Sequence, residues 1–116
     1  MVEHQAAALD GIFQALSDGT RRAMLAQLAN RGPQTVSELA QPFEMSLAGA
    51  SKHVKVLEKA GLVAREIRGR THHCRLEAAR LMEADRWMQH YRRFWTSRLD
   101  TLEALLRAED ADKEKK

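Results

Sequence analysis

Lys52, Lys55 and Lys59 recur at steps of three and four, and Arg68 and Arg70 flank a single glycine, Gly69, a little further on. Steps of three and four put the lysines on one helix face, and a glycine between two arginines makes a turn that offers cations outward. Residues 46–76 also hold Arg65 and Arg75, opposed only by Glu58 and Glu66, a local balance of +5 in a chain of net charge +3. Clustered Lys and Arg neutralise phosphates and release condensed counterions, so a polyanion is the expected partner.

His72, His73 and Cys74 could suggest a metal site. On a strand, however, neighbours point to opposite faces, so only His72 and Cys74 converge, and two ligands do not close a zinc site. No metal and no cofactor is expected. As the one cysteine, Cys74 cannot form a disulfide within the chain, and a lone cysteine most often packs as a small hydrophobe. No nucleophile with a base, phosphate loop or carboxylate constellation appears at a supportive spacing, which argues against an enzyme.

The 116 residues leave little room for two independent cores. With 44% hydrophobic and 30% charged residues and two prolines, the composition is that of a helix-rich globular protein and excludes a wholly disordered chain. No apolar run approaches membrane-spanning length, and Met1 to Gln5 lack a signal-peptide pattern, so a cytoplasmic protein is the expectation.

The positioning elements follow from periodicity and caps. Leu9, Ile12, Phe13 and Leu16 form the stripe of a first helix. Ser17 and Asp18 offer caps for a second, which Ala23, Met24, Leu25 and Leu28 anchor until Asn30-Arg31-Gly32-Pro33 stops it. Thr35 with Glu38 forms a capping box for a short helix ending near Pro42. Ser46 caps the next, in which Leu47, Ala50, Val54 and Leu57 make a buried stripe before Ala60-Gly61. From Leu62 the period shifts toward two on both sides of Gly69-Arg70, which predicts a hairpin ending at Leu76. Met88, Tyr91, Trp95, Leu99, Leu102 and Leu106 then predict one long helix over about residues 79–107, with a break allowed near 81–84.

The fold expected is mainly α with a small β-hairpin, a winged helix-turn-helix with flanking dimerisation helices. Residues 1–108 would form the single domain and residues 109–116 a charged flexible tail. In such a fold the second helix of the pair lies in the DNA major groove and the hairpin reaches neighbouring backbone or minor groove.

The run Phe13-Gln14-Ala15-Leu16-Ser17-Asp18-Gly19-Thr20-Arg21-Arg22, together with Ser51-Lys52-His53-Val54-Lys55-Val56-Leu57-Glu58-Lys59-Ala60-Gly61-Leu62-Val63, resembles the ArsR-type winged helix-turn-helix transcription regulators. The resemblance extends through Arg68-Gly69-Arg70 and the helix bearing Trp87, Tyr91, Phe94 and Trp95, and so covers about residues 8–106. It implies a homodimer, a dyad-symmetric operator on double-stranded DNA, and repression relieved by a signal. Metal-sensing members carry a cysteine pair in the first helix of the motif or Asp and His ligands on the last. Thr35 to Phe43 contain neither Cys nor His, and the last helix has only His90, so the chain resembles a member without the metal switch.

On this footing the expected DNA contacts are Thr35, Ser46, Ala48, Gly49, Ser51, Lys52, His53, Lys55, Arg68 and Arg70, with small Ala48 and Gly49 allowing close approach to base edges. Arg21 and Arg22 are expected to hold partners within the domain. Leu9, Ile12, Phe13, Trp87, Tyr91, Phe94, Trp95, Leu99 and Leu102 are expected at a dimer interface, which would set two recognition helices about 34 Å apart, one turn of DNA. Two alternatives remain open at this point: a ligand- or thiol-responsive sensor of the same fold, and a protein-interaction module that does not bind DNA. A small-molecule effector is compatible with the resemblance, but no residue indicates one.

Overall fold

A computed structural model describes the backbone of residues 2–114 and the side chains of residues 6–113. Helix α1 spans Val2–Leu16 and α2 Gly19–Arg31; strand β1, Gln34–Thr35, leads into α3, Val36–Ala40. Then follow α4, Leu47–Lys59, the hairpin β2, Val63–Arg68, and β3, Thr71–Leu76, and finally α5, Ala78–Glu114. Residues 2–84 form one compact unit and residues 85–114, the outer part of α5, a second.

The starts of α2, α3 and α4 are each capped by a residue that the sequence offers for it. Asp18 accepts from the Arg21 amide, Thr35 and Glu38 form a reciprocal capping box, and Ser46 accepts from the Gly49 amide. These bonds satisfy donors that the first turn of a helix leaves orphaned. The stop of α4 is equally local: Gly61 takes φ +78° while the Leu62 amide bonds the Leu57 carbonyl at 3.0 Å. In the hairpin turn Gly69 has φ +63°, as the first central position of a type II′ turn requires.

Ile12, Ala15, Met24, Leu28, Leu39, Ala50, Val54, Leu57, Leu62 and Cys74 are all buried in one core. Burial of each large side chain contributes about 1.5–3 kcal/mol against the entropy of ordering the chain. Ile12 is fully buried here, so it is corrected from the expected dimer interface to the core; Leu9 and Phe13 pack partly against that core.

Three other features depart from expectation. The hairpin is part of a three-stranded antiparallel sheet of order β1-β3-β2, with Gln34 paired to Cys74 and Thr35 to His73. Two residues after Pro33 are too few to carry a period-two signal. Leu47 is 58% exposed, because it sits a turn before Ala50, the first α4 side chain the core covers. Helix α5 is unbroken through residues 81–84 and continues past 107 to Glu114, since neither proline nor glycine interrupts it. Residues 115 and 116 of the expected tail lie outside the described residues, as does Met1.

Candidate nucleic-acid interface

The shape of α4 follows from two stripes nearly opposite each other. Ala50, Val54 and Leu57 are buried, while Ala48, Lys52, Lys55 and Lys59 are exposed. At 3.6 residues per turn the four exposed positions fall within about 60° of arc. Among the described residues none of the three lysines has an ion-pair partner. No ion pair among the described residues therefore engages these lysines, and phosphates can.

Ser46, Ala48 and Gly49 form the open first turn of α4, where Ser46 is exposed and Gly49 half-buried. A Cβ on Gly49 would meet the Ser46 Oγ at 3.3 Å, so the glycine leaves room for the cap. Thr35 is half-buried and its hydroxyl is engaged with Glu38, donating to Oε1 at 3.0 Å and accepting from the amide at 3.1 Å. Ser51 is half-buried and lines a cleft with Thr35, Leu47, Arg65, Arg70, Thr71 and His72, which brings α4 and the hairpin to one place.

At the hairpin tip Arg68 and Arg70 differ. Arg70 is exposed and without an ion pair among the described residues. Arg68 donates to Glu66 Oε2 at 3.2 Å; that bond, with the opposite charge behind it, lowers the Glu66 carboxyl and raises the Arg68 guanidinium from their ordinary pKa values. Both are exposed, so solvent screens the pair.

His53 does not share the lysine face. Its side chain is 25% exposed, and its Nδ1 accepts from Arg21 Nη1 at 3.3 Å and lies 3.9 Å from Asp18 Oδ2. Arg21 also donates from Nε to the Ala15 carbonyl at 2.7 Å and from Nη2 to the Gln14 carbonyl at 3.1 Å, and Arg22 donates to the Leu16 carbonyl at 2.7 Å. The two arginines thus satisfy the last carbonyls of α1 and favour its negative end. His53 belongs to this corner rather than to the groove-facing stripe.

Sequence reasoning missed Arg65 and Leu47. Arg65 shares strand parity with buried Val63, and its side chain is only 11% exposed. A charge at the parity of a buried residue is the signal that would have found it. Cys74 is buried, and burial chiefly pushes its thiol pKa up. On the neighbouring strand position of the same parity, His72 accepts at Nδ1 from Arg65 Nη1 at 3.3 Å. No group of three or more His, Cys, Asp or Glu side chains arranged to hold a metal ion occurs among the described residues.

Residues 16–66 match the model of a helix-turn-helix domain family. The HTH-type transcriptional regulator Rv2034 of Mycobacterium tuberculosis is 37% identical over 103 residues, 89% of this chain and 92% of that protein. The chain belongs to the ArsR family of helix-turn-helix transcription regulators. The crystal structure of the ArsR family transcriptional regulator RHA00566 is 42% identical with a TM-score of 0.73, over 79% of this chain and 94% of the other. The transcriptional repressor SdpR of Bacillus subtilis is 28% identical over 72% of this chain and 91% of its own length. This ArsR-family chain is thus a DNA-binding transcription regulator, of a family that is not enzymatic, and regulators of this kind bind double-stranded DNA. In its winged fold α3 and α4 are the helix-turn-helix and β2-β3 the wing. No described helix is long and apolar enough to cross a membrane.

Proposed function

We propose that the chain is a homodimeric repressor that acts in the cytoplasm at a dyad-symmetric operator, with α4 in the major groove and the wing on adjacent backbone. The observation that carries this reading is the stripe of Ala48, Lys52, Lys55 and Lys59, exposed, unpaired among the described residues and turned away from the core. Small Ala48 and Gly49 at its first turn allow close approach to base edges, Ser46 and Ser51 add hydroxyls, and Arg68 and Arg70 extend the charge to the wing. Thr35 contributes at the start of α3. His53 acts by holding α4 in place.

The dimer is supported by apolar surface. Trp87, Tyr91, Phe94, Trp95, Leu99 and Leu102 are between 45% and 60% exposed on α5, a stripe that water penalises and a two-fold partner covers. Leu9 and Phe13 of α1 join them in the proposed interface. Repression is the action named for the relative SdpR.

The test is fluorescence anisotropy of the protein on DNA from upstream of its own gene and on an unrelated fragment, with salt varied. Tight, salt-sensitive binding confined to the upstream fragment is the expected result. Equal weak binding to both would remove the operator from the reading, and no binding at low salt would remove DNA.

A further inference from the structure

Between α1, the end of α4 and the start of α5, all within residues 2–84, lies a cavity of about 500 Å³. Ligand-binding clefts commonly hold roughly 300–1,000 Å³. On α1 its wall is Ala7, Ala8 and Gly11, with Gln14 beyond them; on α4 it is Val56 and Lys59. Val56 is an apolar side chain left exposed at this wall.

Gly11 is the informative member. It lies inside a regular helix, where glycine is less favourable than alanine, and its φ is not positive. A Cβ built there meets no atom of the described chain within 4 Å outside its neighbours along the helix. Packing within the chain therefore gives no reason for glycine at this position. The missing side chain leaves a bare strip of helix backbone on the cavity, open to close approach by a group the chain itself does not supply. A second copy is one such group, but Leu9 and Phe13, the α1 residues proposed for the dimer, each stand two positions from Gly11. Two positions are about 200° of helical arc, so Gly11 faces away from that interface.

The polar groups say what would fit. Lys59 is exposed and without an ion pair among the described residues, the Gln14 side-chain amide has no hydrogen-bond partner among them, and no acidic residue lines the cavity. Arg80 is a wall rather than a free cation. Its Nη1 donates to both Glu83 carboxylate oxygens, at 3.2 and 3.1 Å, and its stem lies across Gly61, where a Cβ would come within 2.9 Å of Cγ. An apolar wall beside one unmet cation and one amide suits a small molecule with an apolar body and a single carboxylate. A polyanion would lay its further charges against alanine and valine.

We infer that this cavity is an effector site for a small amphipathic carboxylate, whose body lies over Gly11 and Val56 and whose charge is met by Lys59. Lys59 also belongs to the exposed stripe of α4. A carboxylate that engages it withdraws one cation from that stripe, so occupancy opposes DNA binding. Linkage makes the opposition mutual: duplex and carboxylate weaken each other by the same factor. The site stands on the cavity alone, whereas its effect on DNA rests on the DNA reading above.

The full chain is titrated with 2-naphthoate and with octanoate, first without DNA, and followed by backbone amide shifts. Saturable shifts at Ala8, Gly11 and Gly61 are expected. The uncharged 2-naphthamide should bind about two- to five-fold more weakly than 2-naphthoate, the scale of an exposed ion pair. Gly11→Leu fills the cavity from a position with free space, so the fold is kept. It should abolish the shifts at Ala8 and Gly61 while duplex affinity and sedimentation stay those of the wild type. Saturating 2-naphthoate should weaken duplex binding of the wild type by about two- to five-fold, again the scale of one exposed charge pair, and leave Gly11→Leu unaffected.

Absence of saturable shifts with both carboxylates, or shifts that persist in Gly11→Leu, would overturn the site. Loss of the dimer in Gly11→Leu would give the cavity to a second copy and overturn it equally. Carboxylate binding that leaves duplex affinity unchanged would overturn the effector role. Failure of the wild type to bind any duplex would instead sink the DNA reading, and the shifts measured without DNA would still decide the site.

Discussion

Arg21 on α2 donates from Nη1 to Nδ1 of His53 on α4 at 3.3 Å, while its other guanidinium nitrogens hold the carbonyls of Gln14 and Ala15 on α1. One side chain thereby joins the end of α1, the start of α2 and the flank of the recognition helix. His53→Ala should weaken DNA binding through looser placement of α4 and leave the salt slope unchanged, since no phosphate contact is lost. Arg21→Ala should lower stability by about 1.5–3 kcal/mol in thermal or denaturant unfolding, because hydrogen bonds from a charged donor are removed. A slope that falls by one in His53→Ala would put the imidazole on a phosphate.

Asp18, at the same corner, has its carboxyl held below the ordinary carboxylate range, first by the Arg21 backbone amide and then by the charges of Arg21 and His53. A depressed folded pKa means that the stabilisation is present above the unfolded pKa and is lost as pH falls through the lower folded value. Asp18→Ala should therefore flatten part of the acid limb of stability. Urea unfolding midpoints measured across the acidic range check this, and an acid limb identical to that of the wild type would leave Asp18 without a part in it.

Lys52 is exposed on the face of α4 opposite the core and has no ion pair among the described residues, so its removal leaves no partner charge stranded. Lys52→Ala should weaken binding to all duplexes by a similar factor and lower the salt slope by about one. Anisotropy titrations on two unrelated sequences distinguish this from base recognition, which would penalise one sequence only.

The helix caps were legible because each depends on a few consecutive residues: Asp18, Thr35 with Glu38, and Ser46 all act where their type and offset say they should. The lysine face of α4 was legible for the same reason, as a helical period. What escaped was tertiary. Leu47 has the spacing of the core stripe, but the core ends one turn short of it. His53 has the spacing of a groove contact, but the partner that turns it inward is 32 residues away in sequence. The pairing of Gln34 with Cys74 spans a still longer separation and involves a strand of two residues.

Cys74 is buried between paired strands with its thiol raised in pKa by burial, and the thiolate is the reactive form. The native protein should react with a thiol reagent at neutral pH far more slowly than the same protein in denaturant. Cys74→Ser should destabilise by about 1–3 kcal/mol, as a hydroxyl replaces an apolar group without an assured partner. Rapid native labelling accompanied by loss of DNA binding would restore the thiol-responsive alternative.

Trp95 is 58% exposed on α5, its ring 5.9 Å from that of Phe94, and it belongs to a stripe that the described chain leaves open to solvent. An exposed indole adds little to the stability of residues 2–84, whose core among the described residues takes Ala84 from α5, with Leu81 packed against it. A tryptophan central to a dimer interface is by contrast a typical anchor, and its truncation costs about 2 kcal/mol or more of association. Trp95→Ala should accordingly shift sedimentation from dimer toward monomer and weaken operator binding with it, while the far-ultraviolet circular dichroism of the folded unit is kept. A variant that sediments wholly as dimer would take Trp95 out of the interface, and a wild type that sediments as monomer at every concentration would remove the dimer itself.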